Sequence, residues 1–374
     1  MRIAYLGQMA DITTENGISK KIRQQATTWL HAGHAVRYFA AVPIAKPWPG
    51  LSPLETDLVD RGRGVARLAS SLALCRRLRE WQPDLIYFRY AYHSPGLPAL
   101  FRDIPTIAEL NSDDRQEYGL TLSAAKRLYH RVTRKRVLRH IRGFVAVTQE
   151  LAERCTAFQV PTEVLGNSTD LAELHSLPPA ISRERTRVVL VGSTGTPWHG
   201  LDRLGELAHL LPELDFVVIG CTATDYQAHA PTSQPPDNMQ LLGMLPAHDY
   251  MPLLRECTVA FGTLGLYRKR MDEACPLKVR EYLALGLPVI GAYRDTDIPD
   301  GADYFLRLPN NAEPLAPWRD QIAAFIEGWR GRRVPRSAIA HLDVSVKEAQ
   351  RLAFMEKTVA KWRRANALTS GAPD

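Results

Sequence analysis

A chain of 374 residues is longer than one ordinary domain, so two domains are expected. Its 45% hydrophobic and 23% charged residues exclude wholesale disorder. No apolar run approaches the roughly 18–20 residues needed to cross a bilayer, and a formal net charge of +7 points to an acidic partner.

The opening run Met1-Arg2-Ile3-Ala4-Tyr5-Leu6-Gly7 has no basic leader and no Ala-x-Ala site. It reads as a first strand, and a cytoplasmic protein is expected. Further along, short apolar runs predict strands at Ile3–Leu6, Ala35–Phe39, Leu85–Phe88, Thr106–Leu110 and Phe144–Val147. A second set follows at Val188–Val191, Phe216–Ile219, Met239–Leu242, Val259–Phe261 and Val289–Ile290. Amphipathic stretches between them predict helices at Ile18–His31, Leu201–Leu211, Ala247–Glu256 and Pro276–Leu285. Alternation of this kind means βαβ units and mostly parallel sheets. It breaks at Ser176–Arg187, where Ser-Leu-Pro-Pro-Ala precedes a charged run, as an interdomain linker would.

The expected fold class is therefore α/β, with two Rossmann-like doubly wound domains facing a central cleft. Residues 1–175 form the first, residues 186–343 the second, and residues 344–374 a C-terminal helix packing back on the first. Ligands in such sheets bind at the carboxyl ends of the strands, so the loops there are the ones to read.

Five scattered cysteines (Cys75, Cys155, Cys221, Cys257, Cys275), with no C-x-x-C and no His at zinc spacing, predict inert thiols in a reduced compartment and no bound metal. The stretch from Lys126 to Arg142, including Arg134-Lys135-Arg136, concentrates the positive charge. Without aromatic platforms or a docking motif beside it, nucleic-acid binding is not expected. A solvated helix face and an anionic membrane surface both remain open.

The most informative segment is Glu273-Ala-Cys-Pro-Leu-Lys-Val-Arg-Glu281, running into Gly-Leu-Pro-Val-Ile290. Pro276 suits a first helical turn, and Gly286 closes the helix. The N–H groups at Pro276, Leu277 and Lys278 form an anion site suited to a phosphate, with Lys278 to neutralise charge. Cys275 stands beside them. One turn on, Glu281 is placed to accept hydrogen bonds from vicinal hydroxyls, and Glu273 to meet a hydroxyl beyond the phosphates.

Two glutamates at this spacing, opening a helix that runs into Gly-Leu-Pro-Val-Ile, resemble the E-x7-E signature of the retaining family 4 GT-B glycosyltransferases. The resemblance implies that Glu281 holds a nucleotide ribose and Glu273 contacts the donor sugar. It extends to Asn238-Met-Gln-Leu-Leu-Gly243 beside the base, to Val147-Thr-Gln-Glu-Leu, to Leu165-Gly-Asn167-Ser-Thr-Asp170, and to Asn16-Gly17-Ile18 with Trp29 and Gly33-His34. Gly17 would let backbone approach a phosphate or acceptor, or is a plain loop glycine. In this reading the first domain binds acceptor and the second binds nucleotide-sugar.

One departure stands out. Family members usually carry an Arg after the second domain's first strand and a Lys-Gly soon after. Here the loop is Gly192-Ser-Thr-Gly195-Thr-Pro-Trp198-His199-Gly200, with neither cation. Candidates to replace them are Lys278, the Arg268-Lys269-Arg270 run and His199. Trp198 packs either on a ligand or as a shield. On the acceptor side, Glu109 and Asn111 end one strand, and His93 follows another as either an active group or a loop or helix cap. A His often occupies the Asn111 position in the family; an amide there orients a hydroxyl but cannot act as a base.

The expected reaction is transfer of a sugar from a nucleotide-diphosphate-sugar to the hydroxyl of a glycan or lipid-linked acceptor. The resemblance implies retention and a setting in polysaccharide or glycolipid synthesis, and no metal is expected, since cations take the place of Mg²⁺. Three rivals are a nicotinamide-dependent oxidoreductase, whose G-x-G-x-x-G is missing, a nucleotide-sugar hydrolase or epimerase, and a catalytically silent partner subunit.

Overall fold

The structure, a computed structural model, describes residues 1–7, 15–43, 47–180, 184–230 and 234–370. The chain divides into two compact units, residues 1–168 with 343–374, and residues 169–342. Residues 181–183 of the expected linker lie outside the described residues.

Unit 1 is built on seven parallel strands: β1 (Arg2–Gly7), β2 (Ala35–Val42), β3 (Glu55–Asp60), β4 (Leu85–Arg89), β5 (Thr106–Leu110), β6 (Gly143–Ala146) and β7 (Thr162–Val164). Their order is β3-β2-β1-β4-β5-β6-β7, with the direction reversing beside β1. The connecting helices are α1 (Gly17–His31), α2 (Val65–Glu80), α3 (Leu97–Asp103), α4 (Asp114–Thr121), α5 (Ala124–Leu138) and α6 (Gln149–Glu153). Ile3, Ala4, Tyr5 and Leu6 are wholly buried, as a continuous apolar run in a central parallel strand must be. Asn16 starts α1 with a capping box shared with Ser19.

Unit 2 repeats the plan with six parallel strands: β8 (Thr186–Val191), β9 (Leu214–Ile219), β10 (Met239–Leu241), β11 (Cys257–Phe261), β12 (Val289–Gly291) and β13 (Phe305–Arg307), in the order β10-β9-β8-β11-β12-β13. Its helices are α7 (Leu201–Leu210), α8 (Ala223–His229), α9 (Ala247–Arg255), α10 (Leu277–Ala284) and α11 (Arg319–Gly328). Part of the expected linker is held on this unit: Leu177 N–H donates to Leu285 and Arg333 to the Pro178 carbonyl.

The last helix, α12 (Val344–Ser370), belongs to unit 1. It sets Leu352, Phe354, Met355 and Val359 into the core around Trp29 and Tyr87. Its Glu348 accepts the Trp29 indole N–H at 2.8 Å. Among the described residues, no helix is long and apolar enough to cross a membrane.

Candidate functional site

In unit 2 the carboxyl ends of β8, β9 and β10 are laced together by glycines. Gly192 N–H donates to Ile219 at 2.7 Å, and Gly220 N–H to Gly243 at 2.6 Å. Gly220 has φ +85°, and a Cβ there would stand 2.3 Å from the Gly192 carbonyl oxygen. Only glycine fits such a crossing. Tyr282 of α10 ties the next layer in, its hydroxyl accepting from Val191 N–H at 2.7 Å.

Helix α10 starts at Leu277, one residue later than expected, because Pro276 takes the extended conformation of an N-cap. No side chain caps it, which leaves the Leu277 and Lys278 N–H groups and the positive end of the helix dipole as an anion site. In the same turn the Lys278 ammonium is shielded from solvent without a hydrogen-bond partner. Burial lowers its pKa to about 7, with Cys221 the opposing influence. His199 lies within reach of its charge. Burial first, then Lys278 and Lys269, pushes that imidazole well below its ordinary value. A neutral His199 accepts from Ser193 N–H at 3.3 Å and pairs with the Thr196 hydroxyl at 2.8 Å, setting the loop from Gly192 to Gly200. Gly195 sits in this loop with φ +73°. The arrangement is a desolvated cation beside a helix N-terminus and a glycine loop, suited to a polyanion.

Glu281, one turn into α10, is half-buried and accepts from the Tyr250 hydroxyl of α9 at 3.3 Å. Glu273 lies in the loop before α10, pairs with Arg294 at 2.6 Å and bridges its backbone. Cys275, Asp295 and Asp297 converge. Arg280 sits among them, bonding Cys275 Sγ at 2.7 Å and Asp295 at 2.6 and 2.9 Å, so this group is a closed ion pair at the foot of the helix.

The basic run is held largely by contacts within unit 2. Arg268 grips Asp202 bidentately at 2.6 and 3.0 Å and donates to the Pro197 carbonyl at 2.6 Å. A guanidinium held in this way staples the loop to α7 and is committed to protein partners. Lys269 is buried with its ammonium 4.4 Å from the Trp198 ring centre, which gives that tryptophan a cation–π role inside the unit. Arg270 is exposed in a left-handed conformation.

In unit 1 the acceptor-side candidate Glu109 belongs to the strand expected to carry it. It is fully buried at the end of β5. Lys21 of α1 stands 3.0 Å away, the Tyr87 hydroxyl donates at 2.8 Å, and the Asn111 amide at 3.1 Å. Burial pushes the Glu109 carboxyl up, but the charges of Lys21, Arg351 and Arg89 and the Asn111 amide hold it well below its ordinary value. Lys21 in turn donates to Asn111 at 2.8 Å and Asn167 at 2.7 Å, and burial lowers its pKa to about 8. Glu109 is thus an anchor that orients Asn111, which is half-buried, and Lys21. Gly17, exposed in the first turn of α1, lies one turn before that lysine.

His93 caps no helix. Its Nδ1 pairs with the Tyr129 hydroxyl at 2.7 Å at the edge of a pocket of about 530 Å³. Asp113 caps α4, and Asp114 is buried on His130 (2.5 Å) and Arg134 (2.7 Å). Arg134 is therefore no part of a solvated face.

Sequence reasoning did not single out Tyr250, Tyr282, Arg294, Lys21 or Gly220. Lys21 had a signal: it falls on the same helical face as Ile18, Ile22, Gln25 and Trp29, where a charge needs a buried partner.

Residues 16–167 match the family model described as the glycosyl transferase 4-like domain. Comparison with curated protein sequences gives no match. Among solved structures, the chain is similar to the lipopolysaccharide outer core galactosyltransferase WaaB in its apo form (TM-score 0.66, 13% identity, 95% of this chain and 100% of that one). It is also similar to a glycosyltransferase from Rickettsia africae (TM-score 0.67, 11% identity, 96% and 98%). A third is Anabaena HepE in complex with UDP (TM-score 0.61, 14% identity, 96% and 100%). The two parallel-sheet α/β units are those of the GT-B fold.

Proposed function

We propose that the chain is a glycosyltransferase that binds a nucleotide-diphosphate-sugar in unit 2 and transfers the sugar, with retention, to an acceptor hydroxyl. The observation that carries this reading is Lys278: a buried ammonium without a partner, in the first turn of an uncapped helix, beside the glycine loop Gly192–Gly200. Such a cation lacks an anion of its own and suits a diphosphate. It also supplies charge that the loop does not.

In this reading Glu281, steadied by Tyr250, accepts from ribose hydroxyls, and the structurally similar HepE in complex with UDP supports a nucleotide ligand. Glu273, aligned by Arg294, meets a sugar hydroxyl. Leaving-group charge falls on the α10 N–H groups and Lys278, without a metal. The departing phosphate helps take the acceptor proton on the same face. Asn111 and Gly17 belong to the acceptor side, positioned by Lys21 and Glu109, and His93 is assigned to the acceptor pocket. The acceptor is a glycan or lipid-linked molecule in polysaccharide or glycolipid synthesis at the cytoplasmic side of a membrane.

Thermal stability of the protein with a panel of nucleoside diphosphates and nucleotide-sugars tests this. Selective stabilisation by one nucleotide, lost in Glu281→Ala and Lys278→Met, is expected. Absence of any nucleotide shift would overturn the reading. Product analysis with the stabilising donor then separates transfer from hydrolysis or epimerisation.

A further inference from the structure

Helices α2 and α5 carry an exposed surface that the donor chemistry leaves unused. Eleven large hydrophobic residues are exposed among the described residues, and six of them lie on these two helices: Val65, Leu68 and Leu72 on α2, Leu128, Tyr129 and Val132 on α5. Val65 is 84% exposed, Leu128 62% and Val132 57%. Their spacing, three and four apart on α2 and four apart from Leu128 to Val132, puts them on one face of each helix. The opposite face of α5 (His130, Thr133, Val137 and Leu138) is buried. The two exposed faces meet, because Leu68 and Tyr129 line the same pocket of about 530 Å³, together with Arg61, Arg67, Tyr92 and Lys126.

Charge frames this apolar ridge with one sign. Neither residues 61–79 nor residues 118–149 contain an Asp or Glu. Arg63 and Arg67 are exposed on the α2 side, and Lys126, Arg131 and Arg136 on the α5 side. A merely solvated basic face would not carry aliphatic side chains. Aliphatic residues between long cationic side chains, with anions excluded, match the headgroup–acyl boundary of an acidic bilayer. There Lys and Arg extend to phosphates while the apolar residues insert.

We propose that this face of unit 1 docks on an anionic phospholipid bilayer, its exposed cations meeting lipid phosphates around the inserted apolar side chains. The surface lies wholly within unit 1 and does not depend on the donor site.

Co-sedimentation of the full chain with vesicles tests it, using phosphatidylcholine alone and phosphatidylcholine with about one third phosphatidylglycerol. Binding to the anionic vesicles only is expected. Each cation removed should weaken it about five-fold, so Arg67→Gln with Lys126→Gln loses about twenty-five-fold. Val65→Ser, Leu128→Ser and Val132→Ser together should remove the binding that survives raised salt. These side chains are exposed, so the variants should melt as the parent does. Their nucleotide-induced stabilisation should also be unchanged, which keeps failure of docking distinct from failure of the donor reading. No binding to anionic vesicles, or equal binding by both variants, overturns the proposal. So does a lipid-free dimer abolished by the triple serine variant, which would give the face to a second copy.

Discussion

Lys278 has the most consequential environment of any single residue here. Its ammonium titrates near 7 because it is buried, whereas an unfolded lysine holds its proton to about pH 10.4. Between those values the folded state binds fewer protons, so stability rises with pH through the window and the burial penalty is largest below pH 7. A bound diphosphate reverses the preference by favouring the charged form. Affinity for the stabilising nucleoside diphosphate should therefore be highest below pH 7 and fall by up to about ten-fold per unit above it, with proton uptake on binding. Calorimetry in two buffers of different ionisation enthalpy measures both. Lys278→Met should flatten the slope and raise the melting temperature of the nucleotide-free protein at pH 6. An unchanged slope would remove Lys278 from the site. Arg268→Ala, by contrast, should lower the melting temperature by unpairing Asp202 while leaving the slope intact. The distinction between these two cations was not legible in the sequence, where both stand as basic residues near one loop. Glu273, Lys278 and Glu281 could be named from sequence because a single helix and its lead-in place them. Tyr250 and Arg294 could not, since only the tertiary fold brings them to those glutamates.

At the scale of elements, the ten strands expected from apolar runs are all present, and three further strands, β3, β7 and β13, were not foreseen. All three are edge strands. An edge strand is buried on fewer sides and drops the continuous apolar run: β3 reads Glu-Thr-Asp-Leu-Val-Asp, and β7 and β13 are three residues each. The glycine crossing at the ends of β8 and β9 was equally hidden, because Gly220 is unremarkable in sequence and acquires its meaning from the Gly192 carbonyl. Gly220→Ala should both strain a positive φ and push that carbonyl away. A loss of thermal stability together with loss of nucleotide-induced stabilisation is expected. Gly195→Ala meets no atom within 4 Å, so it bears only the cost of its positive φ and should be milder in melting temperature. Equal effects of the two would mean that the crossing does not set the loop.

For the whole molecule, the helical pattern of the C-terminal segment was legible, but the chemistry of its seat was not. Helix α12 delivers Glu348 and Arg351 into a buried network in unit 1. Arg351 pairs with Glu348 and stands 3.8 Å from Glu109, while Gln25 donates to both glutamates at 3.4 Å. Charges held so deep are favourable only as a set, since removing one partner leaves another desolvated and unpaired. Leu352, Phe354, Met355 and Val359 fill the core beside that set. Unit 1 thus depends on a segment separated from its other residues by the whole of unit 2, whereas unit 2 is continuous and its sheet is complete without that helix. A chain ending at Leu342 should therefore lose the cooperative melting of unit 1 while residues 169–342 keep a transition that shifts with nucleotide. Glu109→Gln in the full chain should act in the same direction by about 3–5 kcal/mol, because it leaves Lys21 and Arg351 without their shared anion. Calorimetric scans of both variants with and without nucleotide read the two units separately. If the truncated chain kept both transitions, α12 would be an accessory to unit 1 and not part of its core.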